Sequence, residues 1–241
     1  MTYNRLGALL AGIFGLGWLL AIAINLLFWL PQTMQVGLGI WYDAGGFLSF
    51  VQRNVVSWQV FHVGVNLALL ALIMLIPLLE ELFNDDPRRR ALSTAGVAGG
   101  LLLLLASLID QFGSPVLALH MAGNPMFSFQ IWGWMEPWRD LGLKTASYWL
   151  LGFWMLWLSG RFLLGEGMGK FGRFSQVLAV GLLLLAFVKT FVPAPLLYYL
   201  SETGAGGVIG LLFPVWGLWL ARWFWRREAA DQRRRPVAEG E

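Results

Sequence analysis

QFGSPVLALHMAGNPMFSFQIWGWM, residues Gln111 to Met135, decides how many times this chain crosses a membrane. The stretch contains no Asp, Glu, Lys or Arg, and it is longer than the roughly 20 residues a transmembrane helix needs. If it crossed, Arg161, Lys170, Arg173 and the arginines of the C-terminal tail would face the side opposite Arg5 and Arg88 to Arg90. Short segments rich in Lys and Arg stay cytoplasmic, so that split is disfavoured. Pro115 and Gly123-Asn124-Pro125 also interrupt the run, and a proline removes a backbone donor that lipid cannot replace. The stretch is therefore expected to lie in, or dip into, the outer interface. Trp132, Trp134 and Trp138 suit the headgroup zone there.

On either side of this segment lie six long apolar runs, roughly Gly7 to Leu30, Val55 to Phe83, Ala91 to Ile109, Ala146 to Leu164, Phe174 to Tyr199 and Ala205 to Trp225. They predict an all-α polytopic membrane bundle of six transmembrane helices, with the interfacial or re-entrant segment between the third and fourth. Of 17 Lys and Arg, 13 then fall on one side: Arg5, Arg88, Arg89, Arg90, Arg161, Lys170, Arg173, Arg222, Arg226, Arg227, Arg233, Arg234 and Arg235. Arg53, Arg139 and Lys144 face the other side, and Lys189 lies inside the fifth run. Both termini are accordingly expected in the cytoplasm. Residues 1–225 read as one transmembrane domain, and residues 226–241 as a basic, disordered tail anchored on anionic lipid. Arg5 followed by an apolar stretch and Ala21-Ile22-Ala23 mimics a signal peptide. Because the apolar run continues to Leu30, the segment is expected to stay attached as a span.

Composition agrees, since 58% of residues are hydrophobic, 13% are charged and the mean hydropathy is +0.64, against about 25% charged in soluble proteins. Six spans use nearly all of the 241 residues, leaving little for an extramembrane domain. The net charge of +3 sits at helix ends, where anionic headgroups account for it. The lipid bilayer is thus an expected partner, and nucleic acid is not. With no cysteine, disulfides, thiolate catalysis and Cys-ligated metals are excluded.

Small residues recur at helical spacing in three runs: Gly206, Gly210, Pro214, Gly217 and Ala221; Gly96 and Gly100; Gly17 and Ala21. Such stripes let helices approach closely in lipid. The aromatic loads of the fourth run (Trp149, Phe153, Trp154, Trp157) and of the sixth (Trp216, Trp219, Trp223) read as lipid-facing or packing surface. They also motivate membrane-protein partners.

Polar residues within spans carry more information, because each is costly in hydrocarbon and usually faces the interior or water. Gln59, His62 and Asn66 share one face of the second run. Asn25 ends the first run, Asp110 ends the third, and Lys189 lies far along the fifth. All six fall in the outer third and form the candidate ligand-binding pocket, roofed by the Trp-rich segment with His120 and Glu136. Lys189 is expected to snorkel to the outer interface, with an ion pair to Asp110 as the alternative. No catalytic residue, cofactor or metal site is assigned. His62 and His120 are the only histidines, and no short ligand spacing of the HExxH kind is present.

Several short stretches run along the whole chain: Arg5-Leu-Gly-Ala-Leu-Leu-Ala-Gly12, Asp43-Ala with a following Phe47-Leu48, Leu75-Ile-Pro-Leu-Leu79, Asp86-Pro87 and Gly217-Leu-Trp-Leu-Ala-Arg222. In these the chain resembles a widespread bacterial family of six-span membrane proteins of unknown function. The resemblance implies a bacterial inner-membrane location and transfers no functional residue. The expected function is a non-enzymatic integral membrane protein that binds a small apolar or amphipathic ligand in the outer pocket. A structural subunit of a larger membrane complex is the alternative. An ion- or proton-coupled transporter relaying through Asp110, His62 and Lys189 is the third.

Overall fold

The computed structural model describes residues 2–36, 43–83, 86–165, 168–192 and 206–234. Residues 193–199 of the fifth apolar run, Ala205 of the sixth and residues 235–241 of the tail lie outside the described residues. Every regular element described is helical: α1 (Tyr3–Ile24), a π-helical turn (Asn25–Trp29), α2 (Leu30–Val36), α3 (Ala44–Arg53), α4 (Val55–Glu81) and α5 (Arg89–Met121). Then follow α6 (Pro125–Glu136), a π-helical segment (Pro137–Lys144), α7 (Thr145–Leu164), α8 (Gly169–Phe191) and α9 (Gly206–Arg234). Local chemistry starts several of them. The Asp43 carboxylate accepts the Gly46 N–H at 2.7 Å ahead of α3. The Asn124 side chain accepts the Phe127 N–H at 3.1 Å ahead of α6, with Pro125 in its first turn. Both satisfy amides that the helix itself leaves open.

Five of the described helices are long and apolar enough to cross a membrane: α1 with its extension to Gln35, α4, α5, α8 and α9. Helix α7 has the length, at 20 residues, but its Trp, Tyr, Ser, Thr and Gly lower its hydropathy. It packs against α5 and α8 and buries Leu151, Trp154, Met155, Leu158 and Phe162.

The segment Gln111 to Met135 differs from the expectation in one respect. Pro115 does not interrupt it: α5 passes through Pro115 and runs 33 residues to Met121, about 50 Å at 1.5 Å per residue. The break comes only at Gly123-Asn124, after which α6 folds back against α5. Helix α6 runs through the π-helical segment into α7 without interruption. At the C-terminal side, α9 continues as helix over 226–234.

Helix α1 lies between α4 and α9. A Cβ on Gly17 would stand 2.5 Å from the Gly64 carbonyl oxygen, so the α1 and α4 backbones touch there. Across the other face, a Cβ on Gly217 would meet the Phe14 ring at 2.7 Å. The main core gathers Phe14, Trp154, Phe162, Phe171, Trp216 and Phe224. Trp154 and Trp216 are therefore core side chains and unavailable to a partner. Trp154 packs where a Cβ on Gly96 would be, and the Trp216 indole donates to Ser175 Oγ at 2.9 Å. At the end of the bundle away from α6, Glu228 accepts from Thr2 Oγ1 at 2.7 Å and pairs with Arg5 at 3.1 Å, while Asn4 donates to Asp231 at 2.9 Å. These contacts tie α1 to α9.

Candidate functional site

Helix α4 presents Trp58, His62 and Asn66 at steps of four residues, with Gln59 beside them, so one face of the helix is polar near its N-terminal end. That face meets α5. The Trp58 indole donates to the Asp110 carbonyl at 3.1 Å, and Gln59 donates to the Gln111 carbonyl at 2.9 Å. The Gln111 side chain donates back to Gln59 at 3.0 Å and accepts from Asn66 at 2.6 Å. Buried amides that pair in this way fix the register of two helices, because each is costly to leave unsatisfied.

Beside this ladder lies a cluster of charges. Asp110 Oδ1 accepts from Ser114 at 2.8 Å and from the Arg139 guanidinium. Arg139 also binds Glu136 on the preceding turn. Its neighbour Asp140 pairs with Lys144 at 3.1 Å and with Lys189 of α8 at 2.5 Å. The π-helical segment thus sends adjacent residues to two different helices, Arg139 to α5 and Asp140 to α8. Three acids (Asp110, Glu136, Asp140) face three bases (Arg139, Lys144, Lys189), so the described cluster carries no net charge when His62 is neutral. Burial pushes the Glu136 carboxyl above its ordinary 4.5, although Arg139 pulls the other way while serving two acids. Burial would raise Asp140 too, but Lys144 and Lys189 hold it well below the usual carboxylate range.

A cavity of about 260 Å³ opens against this cluster. Its polar wall is formed by His62, Ser107, Asp110 and Lys144. The rest is apolar and aromatic: Trp18 and Phe61, Val65 and Leu103, Tyr148, Leu182 and Leu185, with Ile209, Phe213, Gly207 and Gly210 from α9. Ser107 Oγ and Trp18 Nε1 are buried and have no hydrogen-bond partner among the described residues. Other helical hydroxyls nearby bond back to the preceding turn, as Thr190 does to Ala186.

Of the residues expected in the pocket, Gln59, His62, Asn66 and Asp110 come together, and His62 and Asp110 line the cavity. Lys189 does not snorkel. It is 6% exposed and its ion pair is with Asp140, not Asp110. Asn25 stays outside: it is exposed where α1 gives way to the π-helical turn, and Trp29 is the residue of that turn that is buried. His120 is also exposed, its ring bonded to the Val116 carbonyl. Arg139, Asp140, Lys144, Ser107 and Gln111 are among the site residues missed from sequence. The spacing of Asp140 and Lys144, four residues apart, was the available signal for a helix there rather than a loop.

Comparison with known protein families, with curated proteins and with solved structures returned no match.

Proposed function

We propose that this chain is a six-span integral membrane protein that binds a small amphipathic molecule in the cavity lined by α1, α4, α5, α7, α8 and α9. In this reading α7 is the remaining span, both termini are cytoplasmic, and α6 with the π-helical segment caps the outer end. The tight packing of α7 between α5 and α8 supports its crossing, and the Arg-rich ends support the orientation. The bacterial inner membrane is the proposed location, on the strength of the resemblance described above.

The observation that carries the binding reading is the mixed cavity wall, in which His62, Ser107, Asp110 and Lys144 are polar or charged and the other lining residues are mainly apolar or aromatic. Such a wall orients a molecule with a polar head and a hydrocarbon body, and most ligand sites share this plan. Among the described residues Ser107 Oγ has no hydrogen-bond partner, so no base is bonded to that hydroxyl, which favours binding over catalysis in this reading. A role as assembly subunit is favoured by one observation only: Trp134 and Trp138 are 76% and 72% exposed on the cap.

Gly210 supplies the test. It lines the cavity, and a Cβ there would meet nothing within 4 Å, so Gly210→Leu adds bulk at the cavity wall and leaves every residue of the charged cluster unchanged. Native mass spectrometry of protein released from its own membrane in mild detergent is expected to show a bound small molecule on the wild type and none on Gly210→Leu. A wild type carrying no small molecule, or a variant retaining it, would refute the cavity as the binding site.

A further inference from the structure

Helix α9 presents a basic face at the end of the bundle away from α6. Val215, Leu218, Trp219, Arg222 and Arg226 recur every three or four residues and so share one side of the helix. That side borders an open groove of about 690 Å³, whose walls are completed by Trp223 and by Met168 just ahead of α8. Trp219 is fixed in its wall, the ring centroid 5.5 Å from Phe171 and 5.9 Å from Phe174. On its other flank Arg222 borders a second groove of about 740 Å³, beside Arg5, Leu9 and Trp225. Two basic neighbours are already engaged: Arg5 pairs with Glu228 at 3.1 Å, and Arg227 lies 4.7 Å over the Trp223 ring. Arg222 and Arg226 are exposed, and among the described residues neither has a carboxylate within ion-pair distance. Standing four residues apart, they are like charges on one helical face, an arrangement that weakens a helix and that an anion between them would relieve.

The chemistry of the walls narrows the occupant. Guanidinium forks match the paired oxygens of a phosphate. No Asp or Glu lines either groove among the described residues, so nothing there complements the ammonium of a zwitterionic head. Beyond the arginines the groove continues along Leu218 and Val215, and from Arg226 back to Val215 the helix covers about 16 Å at 1.5 Å per residue. A head at the membrane surface with a chain reaching into hydrocarbon fits that length, whereas a soluble phosphate would leave the apolar wall bare. We infer that this face of α9 binds an anionic phospholipid, its phosphate on Arg222 and Arg226 and an acyl chain along Trp219, Leu218 and Val215. The groove lies at the opposite end of the bundle from the charged cluster, so it stands or falls apart from the cavity beside His62.

The test uses the full chain, stripped of lipid in mild detergent and read by native mass spectrometry as dioleoyl phosphatidylglycerol or dioleoyl phosphatidylcholine is added. The wild type is expected to take up phosphatidylglycerol at concentrations about tenfold or more below phosphatidylcholine, since each arginine at a membrane surface favours an anionic head by roughly fivefold. Replacing both arginines, Arg222→Gln with Arg226→Gln, is expected to bring the two lipids within about threefold of each other. The charge-matched pair Arg88→Gln with Arg90→Gln, at exposed positions that line neither groove, is expected to keep the preference. Glycerol 1-phosphate, the head without its chains, is expected to leave phosphatidylglycerol bound even in large excess. Equal uptake of the two lipids by the wild type would overturn the anionic class, and displacement by glycerol 1-phosphate would overturn the lipid in favour of a soluble anion. An equal loss of preference in both arginine pairs would overturn the groove in favour of general attraction to a basic surface. Should the Arg222 and Arg226 pair fail to fold when replaced, the two wild-type comparisons still decide the class.

Discussion

Replacing Arg139 by methionine removes one guanidinium from between two acids and leaves a side chain of similar reach. Arg139 is 5% exposed, and its partners Asp110 and Glu136 are 12% and 17% exposed at their side chains. Breaking such a buried pair from one side costs about 3–5 kcal/mol, chiefly because the remaining charge stays buried without compensation. Glu136 lightens the loss, since burial already raises its pKa and it can take up a proton. Asp110 keeps Ser114, with His62 and Lys144 farther off, so we expect the low end of that range, about 3 kcal/mol. The double variant Arg139→Met with Asp110→Asn removes both charges and keeps an acceptor for Ser114. It is expected to lie closer to wild type than Arg139→Met alone, by about 1–2 kcal/mol. Reversible unfolding in mixed micelles, titrated with dodecyl sulfate and followed by tryptophan fluorescence, gives all four corners of the cycle. A loss below about 1 kcal/mol in Arg139→Met would mark the pair as a solvated surface bridge, and simple additivity in the double variant would show that the two residues act independently.

Other expectations concern packing and pH. Gly17→Ala places a methyl 2.5 Å from the Gly64 carbonyl and is expected to cost roughly 1–3 kcal/mol in the same titration, whereas Gly210→Ala, with open space around it, should be neutral or up to about 1 kcal/mol more stable. Trp154→Leu removes volume from a fully buried site against Trp216 and should lower stability by about 2–4 kcal/mol; an unchanged midpoint would contradict its place in the core. Glu136 holds its proton more tightly folded than unfolded. Its contribution is therefore fully present below pH 4.5 and declines as pH rises from there through the raised value. Glu136→Gln should remove that downward slope from a stability profile, and a slope that persists would assign it to another group.

The polar face of α4 was legible because Gln59, His62 and Asn66 repeat at helical spacing inside an apolar run, where a polar side chain stands out. Asp110 was legible for the same reason. Gln111 was not, because the third run was read as ending at Ile109 with Asp110 at its exit, and Gln111 was counted with the interfacial segment interrupted by Pro115. Its ring is tolerated since the helix continues on the strength of its packing against α3, α6 and the π-helical segment. Arg139 and Asp140 fell in a segment whose charges looked like solvated loop charges. The π-helical segment places these neighbours against two helices, and hydrophobic spacing contains no signal for π-helical geometry. Asn25 failed by the same geometry. Its spacing from Gly17 and Ala21 assumes a uniform α-helix, which stops at Ile24.

The clasp of α1 by α9 has a consequence for biosynthesis. Among the described helices, α1 is made first and α9 last, yet α9 closes over Phe14 and Gly15 and over the ring-lined notch at Gly7. While the ribosome is still working through α8, α1 has only α4 to lean on, and Glu228, which will lock Arg5 and Thr2, has not yet emerged. Until α9 is made, α1 is therefore left uncovered along the flank that carries Gly7, Phe14 and Gly15.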